Sequence, residues 1–175
     1  MTTLRSFACQ DLLKFNNVNL DNMTETYGVD YYLNYLSMWP EYCMTAEDFD
    51  ESIMGYVFGK SEEEGLPFHG HVTALTVCED YRRLKLGTLF MNSLEQISKN
   101  QNCLFVDLFV RASNAPAIQM YHKLGYVQYR RLKDYYSGDR NEDALDMRKS
   151  LMKNCEIERV DQEGRKVGGG HKKNK

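Results

Sequence analysis

Three observations in this 175-residue chain predict an α/β (α+β) fold, a central sheet of about seven strands flanked by four helices. The β-branched and apolar runs His71 to Val77 and Cys103 to Val110 have the composition of central strands. Helical patterns follow each of them, from Leu86 to Lys99 and from Asn114 to Gly125. Between the first strand and its helix lies V-C-E-D-Y-R-R-L-K-L-G, Val77 to Gly87, with the layout of a phosphate cradle.

Taken in order, Thr2 to Ala8 opens as a strand, and Gln10 to Asn16 makes a short helix with Leu12, Leu13 and Phe15 apolar. A polar loop, Asn17 to Gly28, leads to a helix from Val29 to Trp39 that Pro40 stops. This helix is apolar or aromatic nearly all round, so one side packs on its own domain and the other suits a protein partner. Glu41 to Ala46 and Ile53 to Lys60 read as strands joined by an acidic loop. In the helix after the basic turn, Leu86, Leu89, Phe90, Leu94 and Ile97 form the buried face, which leaves Asn92, Glu95 and Lys99 in water. Cys103 to Val110 is nearly continuous in apolar residues, as a strand covered on both faces is. Asn114 near the N-cap, Pro116 in the first turn and Gly125 at the stop mark the next helix. Tyr126 to Arg131 and Ala144 to Leu151 close the pattern as strands, with Asp134-Tyr-Tyr-Ser-Gly-Asp between them.

The basic turn carries chemistry because the first N–H groups of a helix have no intrahelical partner and the peptide dipoles leave positive charge there. Arg82, Arg83 and Lys85 add formal charge at the same place, and Gly87 has no side chain to hold a ligand off the backbone. A solvated turn opening a surface helix is the plain alternative.

The net charge of −3 hides an asymmetry, because residues 153–175 hold seven Lys or Arg against four Asp or Glu and leave −6 on the remainder. A body this acidic argues against a duplex-binding surface, and the end reads as a flexible basic tail on a domain spanning 1–152. Five cysteines, an odd number with no C-x-x-C pair, point to free thiols in a reducing compartment. No leader and no long apolar run occurs, so a cytoplasmic protein without membrane contact is expected. Neither G-x-x-x-x-G-K-[ST] nor G-x-G-x-x-G is present.

The turn Arg82-Arg-Leu-Lys85-Leu-Gly87 and the block Asn114-x-x-A-x-x-x-Tyr121-x-x-x-Gly125-Tyr resemble the two signature blocks of the GCN5-related N-acetyltransferase family. Within it the chain is most similar to catalytic subunits of the NatB N-terminal acetyltransferases. The words F-N-N-V-N-L-D, T-E-T-Y-G, W-P-E-Y, H-G-H-V-T-A-L, V-D-L-F-V-R and D-Y-Y-S carry that resemblance, which runs to about Leu151. Lys85 stands where the family has glycine.

The resemblance implies that family's mixed, mostly antiparallel sheet, and acetyl-CoA as cosubstrate without a metal. It implies transfer of acetyl to the α-amine of nascent chains that begin Met-Asp, Met-Glu, Met-Asn or Met-Gln. Tyr121 becomes the candidate general acid, with His71 and Glu25 as further catalytic candidates. Leu75, Val77, Arg82, Arg83, Lys85, Gly87, Thr88, Asn114 and Tyr121 are expected to hold the cofactor. Glu25, Tyr27, His71, Thr73, Asn114, Tyr135 and Tyr136 are expected at the peptide, with His71 meeting its second residue. A helical-repeat auxiliary subunit, seated on the Val29 to Trp39 helix, and the ribosome are the implied partners. A lysine or small-amine acetyltransferase, and a non-catalytic acyl-CoA-binding assembly module, are the competing readings.

Overall fold

The computed structural model describes residues 2–21, 23–63, 65–137 and 141–152. The segment expected to be a basic tail, with Cys155, lies outside the described residues, and Cys9, Cys43, Cys78 and Cys103 are free thiols.

Seven strands make one sheet. They are β1 (Thr3–Ser6), β2 (Met44–Glu47), β3 (Ile53–Glu62), β4 (His69–Val77), β5 (Phe105–Arg111), β6 (Val127–Tyr136) and β7 (Glu142–Ser150). Their order is β1-β2-β3-β4-β5-β7-β6, and β4 with β5 is the parallel pair in an otherwise antiparallel sheet. Two strand boundaries differ by more than two residues from those expected. Pro40–Tyr42 is a 3-10 turn, so β2 starts at Met44, and β6 continues to Tyr136, which puts Tyr135 and Tyr136 on a strand rather than in a turn. Their aromatic rings suit a pleated surface, and the register shift near Asp134, at φ 50°, lets the strand run on.

The three α-helices are α1 (Val29–Met38), α2 (Leu86–Asn100) and α3 (Ala115–Lys123). The first helix of the sequence reading forms as two 3-10 turns, Cys9–Leu13 and Phe15–Leu20, which reach into the expected loop. Phe15 and Val18, three residues apart, are both buried, a spacing that fits three residues per turn.

Helices α2 and α3 cover one face of the sheet, where Leu86, Phe90, Leu94 and Tyr121 pack with Val57, Val106 and Leu108. The 3-10 turns and α1 cover the other with Phe7, Phe15, Tyr32, Tyr35, Tyr56 and Phe58, several of them edge to face. Contrary to expectation, Leu89 is 41% exposed and Glu95 only 4% exposed. Glu95 Oε2 accepts from Lys149 Nζ of β7 at 2.6 Å, so a carboxylate can occupy the inner face. On α1, Tyr32 and Tyr35 point inward, while Val29, Leu33 and Met38 remain exposed at 60%, 40% and 60%.

What positions the site is a parting of strands. β4 and β5 pair only at Gly70–Val106, His71–Asp107 and Val72–Leu108, after which β4 stays with β3 and β5 with β7. The β3–β4 register shifts at the same place, with Gly59 opposite Val72 and Phe58 opposite Ala74, which leaves Thr73 as an extra residue. Thr73 and Ala74 therefore both face α1: Thr73 Oγ1 lies 2.9 Å from Tyr35 Oη, and Ala74 packs on the aromatic cluster.

Candidate active site

A cleft of about 110 Å³ opens between the parted strands. It reaches from Thr24 and Glu25 on the α1 side to Asn114, Met120 and Tyr121 of the α3 region, so it passes through the sheet. Thr73 and Leu75 of β4 line one wall, Leu108 and Val110 of β5 the other. A polar ligand here meets backbone that the strands no longer use for each other.

Tyr121 lies at the α3 end of the cleft, 6% exposed and 5.8 Å from the ring of Tyr126. Burial pushes its hydroxyl well above the ordinary tyrosine value, so it holds its proton, and no described side chain binds that hydroxyl. Asn114 lines the same cleft while its Oδ1 accepts from the Ala117 N–H at 3.3 Å, so it caps α3 as well.

The basic turn leads into α2. Lys85 is the N-cap residue at φ 65° and ψ 16°, left-handed backbone that glycine adopts without strain, and no side chain caps the helix. Leu89 is the first amide to reach back, at 3.0 Å to Lys85 O, so the N–H groups of Leu86, Gly87 and Thr88 leave the helix end free to meet an anion. Those amides, beside Arg83 and Lys85, fit the diphosphate of a CoA molecule. At Gly87 an added Cβ would stand 2.8 Å from Met120 Sδ, so this position also lies where α2 meets α3. Arg82 pairs with Asp21 and donates from Nε to Val77 O at 3.3 Å, which fixes the turn to the preceding loop. Val77 packs into the α2-side core, Thr88 stands in the first turn of α2, and neither lines the cleft.

A larger pocket, about 300 Å³, lies on the α1 face, with Phe109 between it and the cleft. His71 lines this pocket rather than the cofactor side, and its Nδ1 is 2.7 Å from Asp107 Oδ1. Tyr135 leans on Phe109 at 5.0 Å between centroids and on Tyr136 at 5.1 Å. Tyr27 lines neither space; it stacks on Tyr31 at 4.3 Å, and Tyr31 forms the pocket wall. His69 is buried, stacked on Phe105 at 4.7 Å with Nδ1 2.9 Å from Pro67 O. Among the described residues no group of three or more His, Cys, Asp or Glu could hold a metal ion.

Glu25 is not free at the mouth of the cleft. Arg111, at the end of β5, pairs with it, donates to Glu142 Oε2 at 3.1 Å and lays its guanidinium 4.3 Å above the Tyr136 ring. One side chain thus ties the loop before α1 to both closing strands. Arg111, Asp107 and Phe109 were not among the sequence candidates. Their signal was their spacing of two, Asp107, Phe109, Arg111, which places them on one strand face, and the oddity of a charge inside an apolar run.

The sequence pattern of the acetyltransferase (GNAT) family matches residues 10–126. The chain belongs to that family. Among members, it is 54% identical over 161 residues to the N-terminal acetyltransferase B complex catalytic subunit of Arabidopsis thaliana, covering 91% of each chain. It is also 54% identical to N-alpha-acetyltransferase 20 of Dictyostelium discoideum, over 89% of this chain and 90% of the relative. The crystal structure of Chaetomium thermophilum Naa20 with a bisubstrate analogue superposes with a TM-score of 0.82 at 38% identity, covering 92% of this chain and 97% of that one. The NatB acetyltransferase complex bound to CoA and MES gives 0.78 at 36% identity, over 86% and 99%. The acetyltransferase fold is thus a seven-stranded mixed sheet that its helices cover on both faces, as the sequence pattern predicts.

Proposed function

We propose that this acetyltransferase moves acetyl from acetyl-CoA to the free α-amine of a protein N-terminus, with both substrates bound at once. The observation that carries the reading is a cleft through the sheet, reached from two sides, with a protonated tyrosine inside it. The similarity to catalytic subunits of N-terminal acetyltransferase B complexes supports the same reaction.

The amides of Leu86, Gly87 and Thr88, with Arg83 and Lys85, hold the diphosphate; Leu75, Asn114 and the cleft wall hold the acyl arm. The peptide approaches over Tyr135 and Tyr136, whose phenols burial keeps neutral, and its amine enters beside Thr73 and Asn114. An unperturbed α-amine titrates near about 7.7–8.0, so a modest base or ordered water suffices near neutrality. Glu25, held by Arg111, draws the ammonium to the cleft or orders the water that takes its proton. The amine attacks the thioester carbonyl, the C–S bond breaks, and Tyr121 gives its proton to the departing thiolate.

His71 reads the second residue of the peptide, favouring Met-Asp, Met-Glu, Met-Asn and Met-Gln, because its ring lines the pocket beside the cleft and its Nε2 has no described hydrogen-bond partner. The exposed face of α1, with Val29, Leu33 and Met38, seats a helical-repeat auxiliary subunit, and the assembly works on nascent chains at cytoplasmic ribosomes. Among the described residues no helix is long and apolar enough to cross a membrane. The experiment is acetyl transfer to a Met-Asp peptide with free or blocked α-amine, with and without the auxiliary subunit. Transfer to the free amine alone is expected; equal transfer to a lysine in the blocked peptide overturns the reading.

A further inference from the structure

This inference rests on the reading of His71 as the group that meets the second residue. Asp107 is 2% exposed, and its Oδ1 lies 2.7 Å from His71 Nδ1. An ionised carboxylate only accepts, so Nδ1 carries the hydrogen and Nε2 is left for a ligand. A neutral ring in that tautomer offers a lone pair at Nε2. That lone pair can accept from the NH2 of Asn or Gln, but it repels the carboxylate of Asp or Glu.

The other charges around the ring are held in ion pairs, with one guanidinium in excess over the carboxylates. On β3, Lys60 pairs with Glu62; on β6 and β7, Arg130 and Arg148 share Asp146 at 2.9 Å each. His69 Nε2 is 3.7 Å from both Glu62 and Asp107. The phenols of Tyr31, Tyr35 and Tyr135 are pushed up by burial and stay neutral. Asp107 is therefore the carboxylate in direct contact with the ring, placed to offset a charge that forms there.

We propose that the Asp107–His71 pair makes recognition of an acidic second residue proton-linked. A Met-Asp or Met-Glu chain binds with one proton taken from solvent onto His71 Nε2, which then donates to the substrate carboxylate. A Met-Asn or Met-Gln chain binds the neutral ring without that uptake. Asp107 is a positioning residue, fixing the tautomer and the ring plane while balancing the imidazolium.

The test compares kcat/KM for Met-Asp and Met-Asn peptides between about pH 6 and pH 9, using the full chain with its auxiliary subunit. Ionisation of the substrate amine and of Tyr121 is common to both peptides and cancels in the ratio. The Met-Asp to Met-Asn ratio is expected to fall by roughly tenfold or more as pH rises, and calorimetry in two buffers to show about one extra proton taken up with Met-Asp. A flat ratio overturns the proposal without any variant. Asp107→Asn should lower the ratio at low pH and flatten its profile; a full pH dependence retained in that variant overturns the role of Asp107. His71→Ala separates the two levels. If it leaves the preference for Met-Asp over Met-Ala intact, the reading of His71 fails; if it removes that preference while the wild-type ratio is flat, only the proton linkage fails.

Discussion

The two approaches to the cleft are built from different materials. On the α2 side a ligand meets main chain: free amides at a helix end, a left-handed N-cap at Lys85 and a glycine where two helices meet. On the α1 side it meets side chains from six elements, with buried charges paired and rings leaning on one another. A main-chain site suits a ligand that never varies, whereas a side-chain site can be retuned to a new peptide by single substitutions. The difference also decides what each side can tolerate.

The sharpest break of the comparison is at the point between the two sides. Tyr121→Phe should lower kcat by about 10²–10⁴-fold, with little change in acetyl-CoA affinity by calorimetry, if its hydroxyl supplies the proton. Equal loss in affinity would return Tyr121 to a packing role. Asp146→Ala comes next, because it strands Arg148, 5% exposed, without its carboxylate on the peptide side. A loss of about 3–5 kcal/mol in denaturant unfolding is expected. Arg111→Ala frees Glu25 and uncovers Tyr136, and should raise the peptide KM by roughly tenfold, about 1.4 kcal/mol, while the acetyl-CoA KM moves far less. The smallest effect belongs to the main-chain side: Lys85→Gly relieves left-handed strain and should stabilise the protein by about 1 kcal/mol in thermal melts. A gain of tenfold or more in CoA affinity from that change would show the lysine to be a strained defect rather than a working part of the cradle.

The same contrast explains what could be read from the residues alone. The α2 approach was legible, since a helix end with arginines and a glycine is a local pattern: Arg82, Arg83, Lys85 and Gly87 lie within six positions. The approach of Gly87 to Met120 of α3 is a further feature, which no local pattern shows. Most strands and helices were legible from period and caps, while Phe15–Leu20 was missed because a 3-10 turn repeats every three residues. The α1 approach was legible only in part. His71 and Tyr135 drew notice by residue type, but Asp107, Phe109 and Arg111 were absorbed into an apolar run. The pairing of His71 with Asp107 depends on two strands 36 residues apart lying parallel in one register. Glu95 shows the reverse error, a charge assigned to water by helical period and drawn inside by Lys149 from another strand.

The hydrogen bond between Tyr35 and Thr73 gives α1 two addresses. Its outer residues are bare, and its inner tyrosine grips the extra residue of β4 at the point where the strands separate. One phenol therefore ties the helix that carries the exposed apolar residues to the strand position where the opening begins.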